Sequence, residues 1–305
     1  RLALQQNRHV GKHIITTAVE HSAILETCKA LEQEGYSVTY LKPDKNGDIA
    51  VSQVENALRE DTALVTMMLV NNETGCIFPI AEVARLLKEK KSRALLHTDA
   101  VQAFLKLPFR ADTLGADLIS VSGHKLGAPK GIGGLYLGER IRAPMPLIFG
   151  GGQEQGLRSG TENTVGIIGF GAAAKEIGSD IAANAAHFAD LYSYLCEKLS
   201  SLPDGSVIIN EPTVRVKHIV SLTVPKIRSE TMLHHLSSHG VFVSSGSACS
   251  SNTRHKSSAL SSFGLSDENA DCTIRISFGL YNTHEDIDAL ICGLADGISR
   301  LARKR

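Results

Sequence analysis

Apolar and polar positions alternate along this chain in two rhythms. In the first, short runs of apolar and β-branched residues have the make-up of buried strands: His13–Val19, Ser37–Leu41, Ala63–Val70, Ala94–Thr98, Leu118–Val121 and Leu135–Leu137. Between them, Ala23 to about Glu34, Val51–Arg59 and Ile80–Glu89 carry the repeat of amphipathic helices, with Ser22 expected to cap the first and Gly35 to stop it. Strand and helix in alternation predict a parallel sheet with crossover helices. Arg1–Arg8 reads as the end of a helix, and further sequence is expected upstream of it. A long helical stretch from Thr164 to about Ser201, breakable at Gly178-Ser179, ends at Leu202-Pro-Asp-Gly205. The second rhythm follows, with short strands at Val207–Ile209, Ile219–Val224, Val241–Val243 and Thr273–Ser277 and helices at Ser229–Ser238 and His284–Ala302. The expectation is a large domain over 1–203 and a small α+β domain over 204–305.

Composition narrows the function classes. The 305 residues are 43% hydrophobic and 21% charged, enough for a large core in more than one domain. Basic and acidic side chains balance at 32 each, which gives no reason to expect nucleic acid or an anionic membrane as partner. No apolar run reaches membrane-spanning length. The six cysteines are scattered, too sparse for a disulfide scaffold and without zinc-ligand spacing, so a reducing cytoplasmic compartment and no metal are expected.

Candidate chemistry sits where the strands end. Ligands of parallel α/β sheets gather beyond the carboxyl ends of the strands, which would put Asn72, Asp99, Gln102, Ser122, His124 and Lys125 on one rim. Lys125 follows a buried strand, between Ser122-Gly-His124 and a glycine-rich turn, as a Schiff-base lysine requires; a solvated loop lysine is the plainer alternative. His21 lies at a strand-to-helix turn that it could also simply fill. Asp99 could cap the next segment, or hold a pyridinium nitrogen protonated as pyridoxal phosphate requires. Phe149–Thr161, with four glycines before Arg158, could cradle a phosphate or serve as a linker. Cys249, in Ser244-Ser-Gly-Ser-Ala-Cys249, has little apolar cover; it is a mobile reactive thiol or an inert one in a serine-rich turn. Arg275, alone in an apolar strand, grips a carboxylate or closes a structural ion pair.

Six motifs in order carry a resemblance. Glu20-His21, Asn71-Asn72-Glu73-Thr-Gly75, Asp99-Ala-Val-Gln102, Ser122-Gly-His124-Lys125 with Pro129-Lys-Gly-Ile-Gly133, Arg158-Ser-Gly-Thr161 and Ser244-Ser-Gly-Ser-Ala-Cys249 resemble the cysteine desulfurases of the class V aminotransferase group, from about His13 to the C-terminus. The resemblance implies the α/β, fold type I architecture of pyridoxal 5'-phosphate enzymes: a large domain with a mostly parallel central sheet and a small α+β C-terminal domain. It implies that Lys125 holds the cofactor, His21 stacks on its ring, Asp99 pairs with the ring nitrogen, and Asn72 and Gln102 contact its oxygen side. Ser122 and His124 would bind the phosphate, with Thr161 reaching it from the other subunit of a homodimer. Arg275, with Asn72 nearby, would bind the L-cysteine carboxylate, and Cys249 would take the sulfur as a persulfide, releasing alanine. A sulfur acceptor or iron–sulfur scaffold protein would be the partner. Relatives carry a further segment ahead of the His13 region that helps bind the phosphate; this chain begins after it. Selenocysteine lyase uses the same residues, an ordinary class V aminotransferase would leave Cys249 incidental, and a non-catalytic dimerisation fragment is the reading from another class.

Overall fold

The computed structural model describes residues 1–142, 144–245, 260–261 and 265–301. They fall into two compact units: Arg1–Lys42, Ile49–Val70 and Phe78–Ile181 form the first, and Pro43–Asp48, Asn71–Ile77 and the chain from Ala182 form the second.

The first unit is built on six strands: β1 (His13–Thr17), β2 (Ser37–Leu41), β3 (Thr62–Met68), β4 (Leu95–Asp99), β5 (Leu118–Ser122) and β6 (Gly133–Leu137). Their order is β2-β1-β3-β4-β5-β6; β1 to β5 run parallel and β6 closes the edge antiparallel to β5. β1 and β3 are buried along their whole length, as central strands of a parallel sheet covered on both faces are. The buried His13 is held by the hydroxyls of Thr62 at 2.8 Å and Thr39 at 2.9 Å, one on each neighbouring strand. Helices α1 (Leu2–Gln6), α2 (Ser22–Gln33), α3 (Val51–Ala57), α4 (Ile80–Glu89) and α5 (Ala111–Leu114) come before or between the strands. α4 buries Ile80, Val83, Leu86 and Leu87, the stripe its sequence spacing predicted. α2 begins one residue earlier than expected: His21, not Ser22, is its N-cap, with Nδ1 accepting the Ala23 N–H at 3.2 Å. The strand order reverses between β1 and β3, the switch point where sheets of this topology take ligands.

α6 (Thr164–Gly178) and α7 (Ile181–Leu199) divide at the Gly-Ser pair. The units divide at the start of α7, where the sequence had suggested its end. The cause is the apolar stripe Phe188, Leu191, Tyr192, Leu195 and Leu199, which packs into the core of the second unit. That core also takes Leu222, Met232, Leu236, Ile274 and Leu290. It lies on an antiparallel sheet of order β7-β8-β10-β9: β7 (Ile208–Asn210), β8 (Ile219–Thr223), β9 (Ser244–Ser245) and β10 (Thr273–Ser277). α8 (Ser229–Ser238), α9 (Asp267–Asp271) and α10 (His284–Leu301) complete the described part. The strand expected over Val241–Val243 is not formed. Gly240, at φ +76°, turns the chain at the end of α8, and the Val241 N–H closes that helix on the Leu236 carbonyl at 3.0 Å, so pairing starts only at Ser244. Among the described residues no helix is long and apolar enough to cross a membrane.

Candidate active site

In the first unit the strand ends bring chemistry together. Asp99 closes β4 and Ser122 closes β5; Asp99 is in register with Ser120 on the neighbouring strand. Adjacent parallel strands therefore present Asp99 and the turn Gly123–Leu126 at the same carboxyl edge. Asp99 Oδ1 accepts the Val101 N–H at 2.9 Å, which makes it the cap of a turn, not of a helix. Burial pushes the half-buried Asp99 carboxyl up, opposed by the Val101 N–H and by His21. This coupling brings His21, beyond β1, into the electrostatic range of Asp99.

Lys125 lies in the single tight turn after β5. Gly127, at φ +77°, closes the turn with its N–H on the Gly123 carbonyl. Gly123 is required by close approach: a Cβ there would meet Ile132 Cγ2 at 2.9 Å. Ser122 Oγ and His124 Nδ1 are 2.7 Å apart. Cations crowd this turn. Burial, then Lys125 and Lys130, hold His124 below its ordinary range, and burial with Lys125 as neighbour brings Lys106 down to about 8. Gln102 is half-buried beyond β4, and Thr161 is exposed after Gly160. Arg158, three residues before Thr161, donates from Nη1 to the Ser159 carbonyl at 2.8 Å.

The second unit holds two further candidates. Arg275, half-buried in β10, stands in register with Ser221 on β8 and Ser244 on β9. Its Nη1 donates to the Asn72 carbonyl at 2.9 Å. The turn around Asn72 is fixed by Asn71, whose Oδ1 accepts the Glu73 and Thr74 N–H groups at 2.9 and 3.0 Å. Gly75 holds φ +75°, and a Cβ there would lie 2.9 Å from the Ile219 carbonyl oxygen. Cys249 lies outside the described residues. Among the other cysteines, burial raises the Cys28 thiol to about 11 and also raises those of Cys76 and Cys272, which makes these three inert core residues.

Two residues escaped the sequence analysis as individuals. Glu20 appeared only as part of a motif; it is buried between β1 and β3, and Oε1 accepts the Thr17 hydroxyl at 2.8 Å and the Met68 N–H at 2.9 Å. Lys106 sits between Leu105 and Leu107, and that apolar flank was its one visible signal.

Known proteins bear on this arrangement. The aminotransferase class-V family profile matches residues 2–290. A putative cysteine desulfurase IscS 1 from Bacillus subtilis is 41% identical over 295 residues, covering 96% of this chain and 77% of the relative. The cysteine desulfurase IscS of Methanosarcina thermophila is 39% identical over 285 residues, covering 93% of this chain and 70% of its own. Among solved structures, a NifS-like protein superposes with a TM-score of 0.89 at 36% identity, over 98% of this chain and 78% of that one. A protein described as SspA in complex with cysteine superposes with a TM-score of 0.77 at 34% identity, over 92% of this chain and 77% of the other.

Proposed function

This chain belongs to the class-V aminotransferase family as a pyridoxal 5'-phosphate-dependent cysteine desulfurase, and from that premise we propose how its residues divide the work of removing sulfur from L-cysteine. One observation carries the assignment: His124, Lys106, Lys125 and Lys130 crowd the turn after β5 while the half-buried Asp99 ends the next strand. Burial and the neighbouring lysines both lower the protonation of His124 and Lys106 there, and a bound phosphate dianion would relieve the repulsion. A carboxylate one strand away suits a protonated ring nitrogen. The donor set therefore fits the cofactor.

Lys125 would hold the cofactor covalently, with His21 over its ring, Asp99 at the ring nitrogen, and Asn72 and Gln102 on its oxygen side. Ser122 Oγ and the His124 imidazole, already paired, would take the phosphate, with Thr161 contributed by the second subunit. When bound, the cofactor supplies the electron sink that makes the substrate Cβ–S bond breakable. Arg275 would fix the L-cysteine carboxylate through a charge-assisted pair, with Asn72 beside it. The Cys249 thiolate then attacks the substrate sulfur. A new S–S bond forms as the Cβ–S bond breaks, the carbon skeleton regains its proton, and L-alanine leaves; the enzyme keeps the sulfur as a persulfide, with no external oxidant or reductant. His21 is the candidate for moving protons at the substrate.

A homodimer is supported by the apolar residues that the first unit leaves exposed: Leu147, Ile148, Phe149, Val165 and Ile168. The persulfide sulfur would pass to an acceptor or iron–sulfur scaffold protein in the cytoplasm. The test is Cys249→Ala. Loss of alanine and sulfide formation, with the visible cofactor absorption retained, is the expected result. A variant that still releases sulfide at the original rate would overturn the assignment of Cys249.

A further inference from the structure

We propose that His235, His239 and Asp296 form a binding site for a borderline divalent d-block cation, with Zn2+ as the reference case. His235 sits in the last turn of α8 and His239 is its C-cap, four residues on, so both rings fall on one face, with centroids 4.6 Å apart. Asp296, on α10, faces them. Its Oδ2 is 3.3 Å from His235 Nε2 and 3.8 Å from His239 Nε2, and one donor atom from each residue lies within 4.8 Å of the others. Tetrahedral ligands about 2.0–2.2 Å from zinc stand roughly 3.3–3.5 Å from one another. The trio is therefore close to the required spacing, and the closing movement falls to the exposed His239.

Two observations beyond the clustering point to a cation. The first is the His239 tautomer. Its Nδ1 lies 2.9 Å from the His235 carbonyl oxygen, and a carbonyl only accepts, so Nδ1 carries the proton. In the neutral ring Nε2 then carries a lone pair, 3.8 Å from the Asp296 carboxylate oxygen. The second is that His235 Nε2 and Asp296 Oδ2 are buried, 3.3 Å apart, and make no hydrogen bond to each other or to any other group among the described residues. A cation at the shared point satisfies all three atoms. The supports expected behind metal ligands are already present. Arg300 Nε is ion-paired at 2.7 Å with the other carboxylate oxygen of Asp296, and the His235 carbonyl orients the His239 ring. Gly297 lets the helices come close enough: a Cβ there would lie 2.9 Å from Met232 Cε and 3.0 Å from His235 Cδ2. Two imidazoles and one carboxylate select zinc, copper, nickel or cobalt over magnesium or calcium. Water would complete the coordination on the His239 side. The bound ion would pin the end of α8, which leads into β9, to α10.

The probe is Co2+, then Zn2+, titrated into the full chain after chelation and dialysis, followed by calorimetry and visible absorption. One equivalent per chain with micromolar or tighter affinity is expected. The cobalt bands should be those of nitrogen and oxygen ligands, without thiolate charge transfer. His239→Gln, an exposed change compatible with folding, and the near-isosteric Asp296→Asn should each weaken binding about tenfold or more. No binding would overturn the proposal, and so would an affinity unchanged in both variants, which would assign the ion to cysteine thiols. In either case a proton shared between imidazole and carboxylate would account for the cluster.

Discussion

Glu20→Gln is the most demanding test of the first unit's interior. Glu20 is 5% exposed, and burial raises its carboxyl from the ordinary 4.5 to about 8, with the charge of Asp99 adding and the Met68 and Thr17 hydrogen bonds opposing. The native state thus holds this proton more tightly than the unfolded chain. Below about 4.5 both states are protonated and the group contributes its full stability. As pH rises from there toward 8, the unfolded chain releases the proton first and native stability falls. One such group supplies a slope of at most about 1.4 kcal/mol per pH unit, and the slope ends above the native value. Glutamine keeps an oxygen for the two hydrogen bonds and cannot ionise. Urea unfolding of both proteins at about pH 5.5 and about pH 7.5 should show the variant gaining up to roughly 3 kcal/mol on the wild type across that interval. Only the change with pH matters, because the buried amide adds a constant cost of its own. Parallel stability curves would mean that Glu20 is ionised in the native state, and the reasoning from burial would fail.

Other outcomes follow from the same geometry. Lys125→Ala should leave no cofactor absorption after desalting, with no borohydride-fixable adduct; a retained, reducible band would move the covalent bond to another lysine. Gly75→Ala places a Cβ 2.9 Å from the Ile219 carbonyl at φ +75° and should lose roughly 1–3 kcal/mol, read by thermal unfolding of the full chain; an unchanged midpoint would refute the tight contact. Ile168→Asp puts a charge on an exposed apolar helix face and should shift the protein to monomer in light scattering; a dimer of unchanged mass would place the interface elsewhere.

The strands and helices of the first unit were legible because buried parallel strands are rich in apolar and β-branched residues and a crossover helix such as α4 carries a clear stripe. Asp99 and Ser122 were legible as strand ends for the same reason, since polar residues closing such runs stand out, whereas Asn72 falls in the second unit. Where the reading failed, the competing effects were local or remote. Gly240 sits three residues from Val243, yet the helix closure it permits removes the Val241–Val243 strand. His21 displaced Ser22 as cap because an imidazole nitrogen can do a hydroxyl's work. Glu20 entered only as half of the Glu20-His21 motif: nothing in the sequence shows that the Met68 N–H on β3 comes to meet it. The His235–His239–Asp296 cluster was hidden because its third member is 57 positions beyond the second, and only the packing of α10 on α8 joins them.

The Arg275–Asn72 hydrogen bond spans 203 positions of sequence. The second unit is consequently not a transplantable module. Cutting the gene at Ala182 would carry away the guanidinium and leave behind the carbonyl that seats it, along with the Gly75 backbone that pairs with Val216. A chimera that borrows only the C-terminal portion from a relative inherits the gripping side chain on a foreign seat. During synthesis, too, the early turn must wait through most of translation before its late partner emerges. Residues 71–77 and β10 should therefore change together when this enzyme is recombined, and library designs that treat the two segments as one cassette should keep the most function.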